Sequence, residues 1–226
     1  MAALWRYPVK SMAGQALDEV EVSWQGFAGD RRWAFIRDGL VRSHFPWLTI
    51  REQPAMWHYE PFFTEPAKPD RSPTMVRTPD GREVDVTDPA LAEELGDGVR
   101  LIKQNRGVFD QAPLSLISTQ TVAGIGALAG AELTPLRFRP NLVVEATGDF
   151  PEEGWVGSVL RIGRFSMRVD QKDERCVMIN VDPATTERNS AVLKAAGRER
   201  DACLGVYGTT VQPGRVAIGD AVVLED

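Results

Sequence analysis

Two runs decide between fold classes. The first is Leu114-Ser115-Leu116-Ile117-Ser118-Thr119-Gln120-Thr121-Val122-Ala123-Gly124-Ile125-Gly126-Ala127-Leu128-Ala129, and the second is Phe138-Arg139-Pro140-Asn141-Leu142-Val143-Val144-Glu145. Read as strand, glycine turn, helix and strand, they fit a GxGxxA fingerprint with Glu145 placed 19 residues beyond Gly126. That pattern belongs to parallel-sheet dinucleotide binders. The spacing argues otherwise. A fingerprint glycine sits in the tight turn leaving the strand, and here Thr119 to Ala123 intervene. Pro140 has no N–H to give a ladder, so a strand over 138–145 is expected to be an edge strand or to bulge there. Residues 119–129 then read as a helix packing closely through small residues and weakened by two glycines.

Outward from that stretch the chain reads as β. Val159-Leu160-Arg161-Ile162 and Phe165 to Val169 bracket Gly163-Arg164 as a hairpin. Another hairpin is marked by Pro79-Asp80-Gly81 between 75–78 and 83–86, where Pro presets φ and Gly accepts a positive one. Val20, Val22 and Trp24 alternate with Glu19, Glu21 and Ser23, the period of a half-buried strand. Strands are also expected over 32–36, before a turn at Asp38-Gly39, and over 99–103. The segment 61–73 holds prolines at 61, 66, 69 and 73 and reads as a long loop. A short helix is marked by Asp88 as cap, Pro89 at its first position, Leu91 and Leu95 on one face and Gly96 at its end. A second covers 190–196 and closes at Gly197. Many short strands with few short helices make the fold mostly β (α+β), a β-barrel core with helical decorations. A boundary near residue 98 divides it into 1–98 and 99–226.

Composition narrows the function classes. With 226 residues, 43% of them hydrophobic, the chain can bury a core and is too apolar for disorder. Its net charge of −6 gives nucleic acid no electrostatic reason to bind. No apolar run reaches membrane-spanning length, and the N-terminus goes straight into strand-like sequence, so neither membrane nor secretion is expected. Two cysteines, Cys176 and Cys203, make no disulfide framework and suit a reducing cytoplasm. No CxxC, HxxxH or HxH spacing suggests zinc, and His44 and His58 lack a triad context.

Arginine outnumbers lysine 21 to 5, and position gives some of these cations meaning. Lys10 ends the first strand and precedes Ser11; Arg31 follows Gly29-Asp30; Arg139 sits beside Pro140. Singly each reads as a surface charge. Together they could hold a phosphate or polyanionic cofactor through guanidinium forks and one ammonium. Cys176 follows Arg175 at a strand end, a setting for a low-pKa thiol nucleophile or metal ligand. A free cysteine packed as a small apolar side chain is the other reading, and it fits Cys203 better.

Leu4-Trp5-Arg6-Tyr7-Pro8-Val9-Lys10-Ser11-Met12-Ala13-Gly14 with Gly29-Asp30-Arg31-Arg32-Trp33 resembles the N-terminal β-barrel module that precedes a MOSC domain. Phe138-Arg139-Pro140-Asn141, Arg175-Cys176 and Val181-Asp182-Pro183-Ala184-Thr185 resemble the MOSC domain itself, the module named for the C-terminal part of molybdenum cofactor sulfurases. The ordered set is most similar to the amidoxime-reducing branch of that family. The resemblance implies a molybdenum cofactor (Mo-molybdopterin), with Cys176 supplying a thiolate to the metal, which suits a soft ligand. It implies that Lys10, Ser11, Arg31, Arg139, Asn141 and Arg175 hold the pterin and its phosphate. Asp110, in Phe109-Asp110-Gln111-Ala112-Pro113, matches a segment lining the cofactor, and Asp110 or Glu174 would deliver protons. The implied reaction reduces small N-hydroxylated substrates (amidoximes, hydroxylamines, N-hydroxylated bases) with electrons from a separate donor protein. The family also carries an association with pyridoxal phosphate. Glu174 departs from the small polar residue expected before Arg-Cys, and Ala112 stands where relatives can carry a hydroxyl. A non-catalytic cofactor binder, or a sulfur carrier using Cys176, is the alternative.

Overall fold

A computed structural model describes residues 1–225, and its chain divides into two compact units that interleave in sequence. Of the described residues, the larger unit comprises 1–5, 16–28 and 110–225, and the smaller comprises 6–15 and 29–109.

The larger unit is built on an eight-stranded sheet. Its order is Val222–Glu225, Val159–Ile162, Phe165–Glu174, Cys203–Gln212, Leu114–Ser118, Leu142–Val144, Ala3–Arg6 and Gln15–Leu17. A three-stranded sheet of Gly214–Ala217, Glu19–Ser23 and Gly26–Phe27 accompanies it. Alternation along the strands gives the large sheet two buried faces. Leu4, Leu116, Leu142, Val144, Leu160, Phe165, Met167 and Val206 pack with Val20, Val22 and Val216 in one core. Ile117, Val143 and Leu204 point the other way, under helices α2 (Thr119–Ala129) and α3 (Ala191–Glu199). Leu116 and Ile117 are neighbours in sequence and fully buried in different cores. Each fully buried side chain of this size contributes roughly 1.5–3 kcal/mol of burial, so both faces matter.

The stretch read first behaves partly as expected. Leu114–Ser118 and Leu142–Val144 pair in parallel, with α2 as their crossover. The strand is shorter than expected, however, and central rather than at an edge. Residues 135–138 form a 3-10 turn, and Arg139 caps it in the left-handed region. Asn141 N–H, donating to Ser115 O at 2.8 Å, opens the ladder, so Pro140 stands just outside and no ladder bond is lost. The dinucleotide reading still fails. Gly124 and Gly126 lie inside α2; a Cβ on Gly126 would come 2.7 Å from Ala131 O, and one on Gly124 3.1 Å from the Phe150 ring. At the helix start Ser118 Oγ accepts from Thr121 N–H, while buried Glu152 accepts from Ser118 N–H at 3.1 Å. A carboxylate already sits where a pyrophosphate would go.

In the smaller unit Trp33–Arg37 pairs with Val99–Lys103, and Glu60–Phe63, Thr74–Arg77 and Glu83–Asp85 form a meander. Pro61 is therefore in a strand opposite Val76, not in the expected loop; the strand lies at the sheet edge, where a missing donor is tolerated. Helix α1 (Pro89–Leu95) is capped by the Asp88 carboxylate accepting from Ala90 N–H at 2.9 Å, and Leu91 and Leu95 are buried. Two smaller differences appear elsewhere. Helix α3 continues through Gly197 to Glu199, and Trp24 lies beyond its strand, 68% exposed.

Candidate functional site

In the larger unit the candidate site grows from the end of the longest strands. Phe165–Glu174 and Cys203–Gln212 pair to Glu174 opposite Cys203, with two register shifts after Val169. Those bulges re-aim the end of the strand. Arg175 N–H then donates to Ala202 O at 2.7 Å, and Cys176 opens the 3-10 turn Val177–Asn180. Its thiol belongs to a half-buried residue.

The Arg175 guanidinium is held from three sides. Nε donates to Leu204 O at 2.7 Å, Nη1 to Phe138 O at 2.8 Å, and Nη2 lies 2.8 Å from Asp173 Oδ2. The cation expected to assist the Cys176 thiol thus ties backbone together. Through Phe138 it joins the Cys176 turn to the turn that carries Arg139. Arg139 is only 7% exposed and has φ 52. Asn141, 1% exposed, receives Ser115 N–H at Oδ1 and donates Nδ2 to Trp5 O, stapling neighbouring strands. Asp110 and Glu174 are exposed.

Asp173 was missed by the sequence reading. Its carboxylate is buried, accepts from Ser115 Oγ at 3.2 Å and from Tyr207, and faces Arg175. Burial pushes its pKa up to about 6, with Asp110 adding to the rise and Arg175, Ser115 and Tyr207 opposing it. Burial likewise raises the Cys203 thiol, against the pull of Lys172.

The smaller unit gathers its own basic cluster. Lys10 (5% exposed) donates Nζ to Val108 O at 3.2 Å, and Val108 N–H donates to Arg31 O at 2.7 Å. One residue therefore joins both predicted cations. Arg31 pairs with buried Asp30 and lies over the Tyr7 ring at 4.6 Å. Asp30 also accepts from Tyr7 N–H at 2.7 Å. Arg6 was not singled out by sequence, yet it is 3% exposed, and burial lowers its pKa to about 10 while Asp30 and Asp70 oppose the shift. Ser11 (φ 68) and Arg31 (φ 48), like Arg139, occupy the left-handed region without being glycine. Such backbone costs about 1 kcal/mol or more per residue and concentrates at functional sites.

Residues 103–223 match the MOSC domain family, and residues 1–107 match the MOSC N-terminal beta barrel domain. The chain belongs to the MOSC family. Among curated relatives, this MOSC chain is 26% identical to a molybdenum cofactor sulfurase of Danio rerio, over 90% of the chain and 31% of the sulfurase. It is 24% identical to mitochondrial amidoxime-reducing component 1 of Homo sapiens, over 51% of the chain and 37% of that protein. The chain thus spans about a third of each. The YuaD protein of Bacillus subtilis has a similar fold (TM-score 0.55, 15% identity, 98% of this chain and 92% of that one). The MOSC chain is therefore related to molybdenum cofactor proteins. Among the described residues no helix is long and apolar enough to cross a membrane.

The donors present fit such a cofactor. One half-buried thiol opening a turn, with Arg139 buried on the neighbouring turn that Arg175 ties to it through Phe138 O, suits a soft metal delivered inside an anionic organic ligand, while Arg137 and Arg175 are taken up by carbonyls and aspartates.

Proposed function

We propose that the chain is a molybdenum cofactor-dependent oxidoreductase that reduces N-hydroxylated compounds with electrons from a separate donor protein. The observation that carries this reading is the placement of Cys176. Cys176 follows a bulged strand end and opens a turn that Arg137 and Arg175 tie to the turn carrying Arg139, so a soft donor and a buried cation sit on neighbouring turns. When bound, the cofactor supplies two-electron chemistry that accepts oxygen from nitrogen. The chain's own residues do the rest. Cys176 would anchor the metal, Arg139 would grip the anionic part, and exposed Asp110 and Glu174 would pass protons to the departing group. Asn141 and Arg175 act in this reading by holding the surrounding backbone. Lys10, Ser11 and Arg31 are proposed as the anion-holding set of the other unit. Pyridoxal phosphate has no part in the proposal.

The sulfurase relatives favour a second reading, in which Cys176 carries sulfur or the domain only holds the cofactor. Protein from a cofactor-competent host separates them. The reductase should contain molybdenum and reduce benzamidoxime with an artificial donor; Cys176→Ala should abolish activity, while Cys203→Ala keeps it. Molybdenum without turnover, or cyanide-releasable sulfur on Cys176, would favour the second reading. Full activity in the Cys176→Ala variant would refute thiolate ligation.

A further inference from the structure

Two arginines with buried side chains, one next to Cys176 in the chain and one on the neighbouring turn, point at backbone. Arg137, 4% exposed in the turn Pro135–Phe138, donates Nη1 to Ile179 O at 3.2 Å in the turn Val177–Asn180. Its Nη2 donates to Asp182 Oδ2 at 2.6 Å. Arg175 runs the opposite way, from the flank of the second turn to Phe138 O in the first, with Asp173 at its other end. Each arginine therefore ends on a carbonyl of the other turn, and each has its own aspartate. Arg139 caps the first turn; the Cys176 carbonyl accepts from Ile179 N–H at 3.2 Å inside the second. A 3-10 turn of four residues has few hydrogen bonds of its own, so what grips it from outside decides where it sits.

We propose that Arg137–Asp182 and Arg175–Asp173 form a reciprocal brace between these two turns, and that both arginines are positioning residues setting the Cys176 thiol in place. The proposal rests on Cys176 being the working thiol and adds what holds it there. A guanidinium fork spans a carbonyl and a carboxylate at once, which a lysine ammonium at the same site does not. Burial weighs against the Asp182 carboxylate, but N–H groups of Thr185 and Ala184 together with Arg137 hold its pKa below the ordinary range. That end of the brace stays charged through neutral pH.

The test uses the full chain made without molybdenum cofactor, with iodoacetamide as probe and each thiol read by peptide mass from pH 6 to 9. Arg137→Lys keeps a charge beside Asp182 but loses the grip on Ile179. It should speed Cys176 alkylation about tenfold, the factor carried by about 1.4 kcal/mol of lost charged hydrogen bonding, and displace its pH profile. Cys203 should stay within about twofold in the same molecules. Arg175→Lys should accelerate Cys176 similarly. If Arg137→Lys fails to fold, Asp182→Asn, which loosens one end only, carries the test. Equal acceleration of both thiols, or no change at Cys176, overturns the brace. Wild-type protein lacking molybdenum after expression in a competent host would instead refute the functional reading and leave the alkylation result standing.

Discussion

Replacing Asp173 with Asn asks which of two opposed effects governs a buried carboxylate. Burial disfavours its charge; Arg175 Nη2 at 2.8 Å and Ser115 Oγ at 3.2 Å favour it. With the pKa raised from 3.8 to about 6, burial wins. The native state then holds a proton more tightly than the unfolded chain. This group's contribution is fully present below about pH 4 and is lost as pH rises through 6, the reverse of an ordinary ion-paired aspartate. Integrating the two titration curves, wild type should lose about 2 kcal/mol relative to Asp173→Asn between pH 4.5 and 7.5. Urea unfolding of both proteins across that range measures the difference, because titrations common to both cancel. Carbon-13 titration of the Asp173 carboxyl checks the midpoint directly. A pH-independent difference, or wild type gaining on the variant as pH rises, would refute the reasoning and show that Arg175 dominates.

Other perturbations probe separate links. Gly205 has φ +78, and a Cβ there would lie 2.6 Å from Leu116 O and 3.1 Å from Arg175 Nη2, so Gly205→Ala should cost more than about 2 kcal/mol in urea unfolding. Unaltered stability would mean that the strand gives way at Gly205 without cost. Tyr59→Phe removes the phenol that donates to Glu94 Oε1 at 2.6 Å, a bond that, with burial as the larger cause, pushes the phenol pKa up. About 1 kcal/mol should be lost, since Arg82 still partners Glu94 at 2.7 Å; a loss near zero would mean that water replaces the bond at no cost.

The fold was legible where local chemistry and packing agree. Hairpins at 163–164 and 79–81 follow from turn residues between apolar runs, and α1 follows from its Asp-Pro start and Gly stop. The strand over 138–145 was overdrawn because the apolar composition of Phe138 is the same in a strand and in a turn facing the helical side of the sheet. Pro140 was read correctly as a ladder breaker and wrongly as evidence of an edge: a central strand needs its N–H groups only from its first ladder bond, and that is Asn141's. Pro61 erred the other way, since four prolines in thirteen residues hide one that an edge strand accepts.

The candidate site divides along the same physical line. Cys176 and Arg139 were singled out because residue type announces chemistry. Left-handed backbone at Ser11, Arg31 and Arg139 was not, because L residues enter that region only when the surrounding fold imposes it. Asp173 was hidden by parity. Val169 and Asp173 are buried, but Gln171 between them is exposed, and the register shifts on both sides of Lys172 break the alternation that would have turned attention inward. Arg175 shows why charge alone misleads. In sequence it is a cation beside a thiol; in the fold two carbonyls and a carboxylate fix its guanidinium, so its influence on Cys176 passes through the backbone it holds. How strongly a charge acts on a neighbouring thiol depends on the distance at which its side chain is held, and for Arg175 that position is decided by acceptors 29 and 37 residues away along the chain.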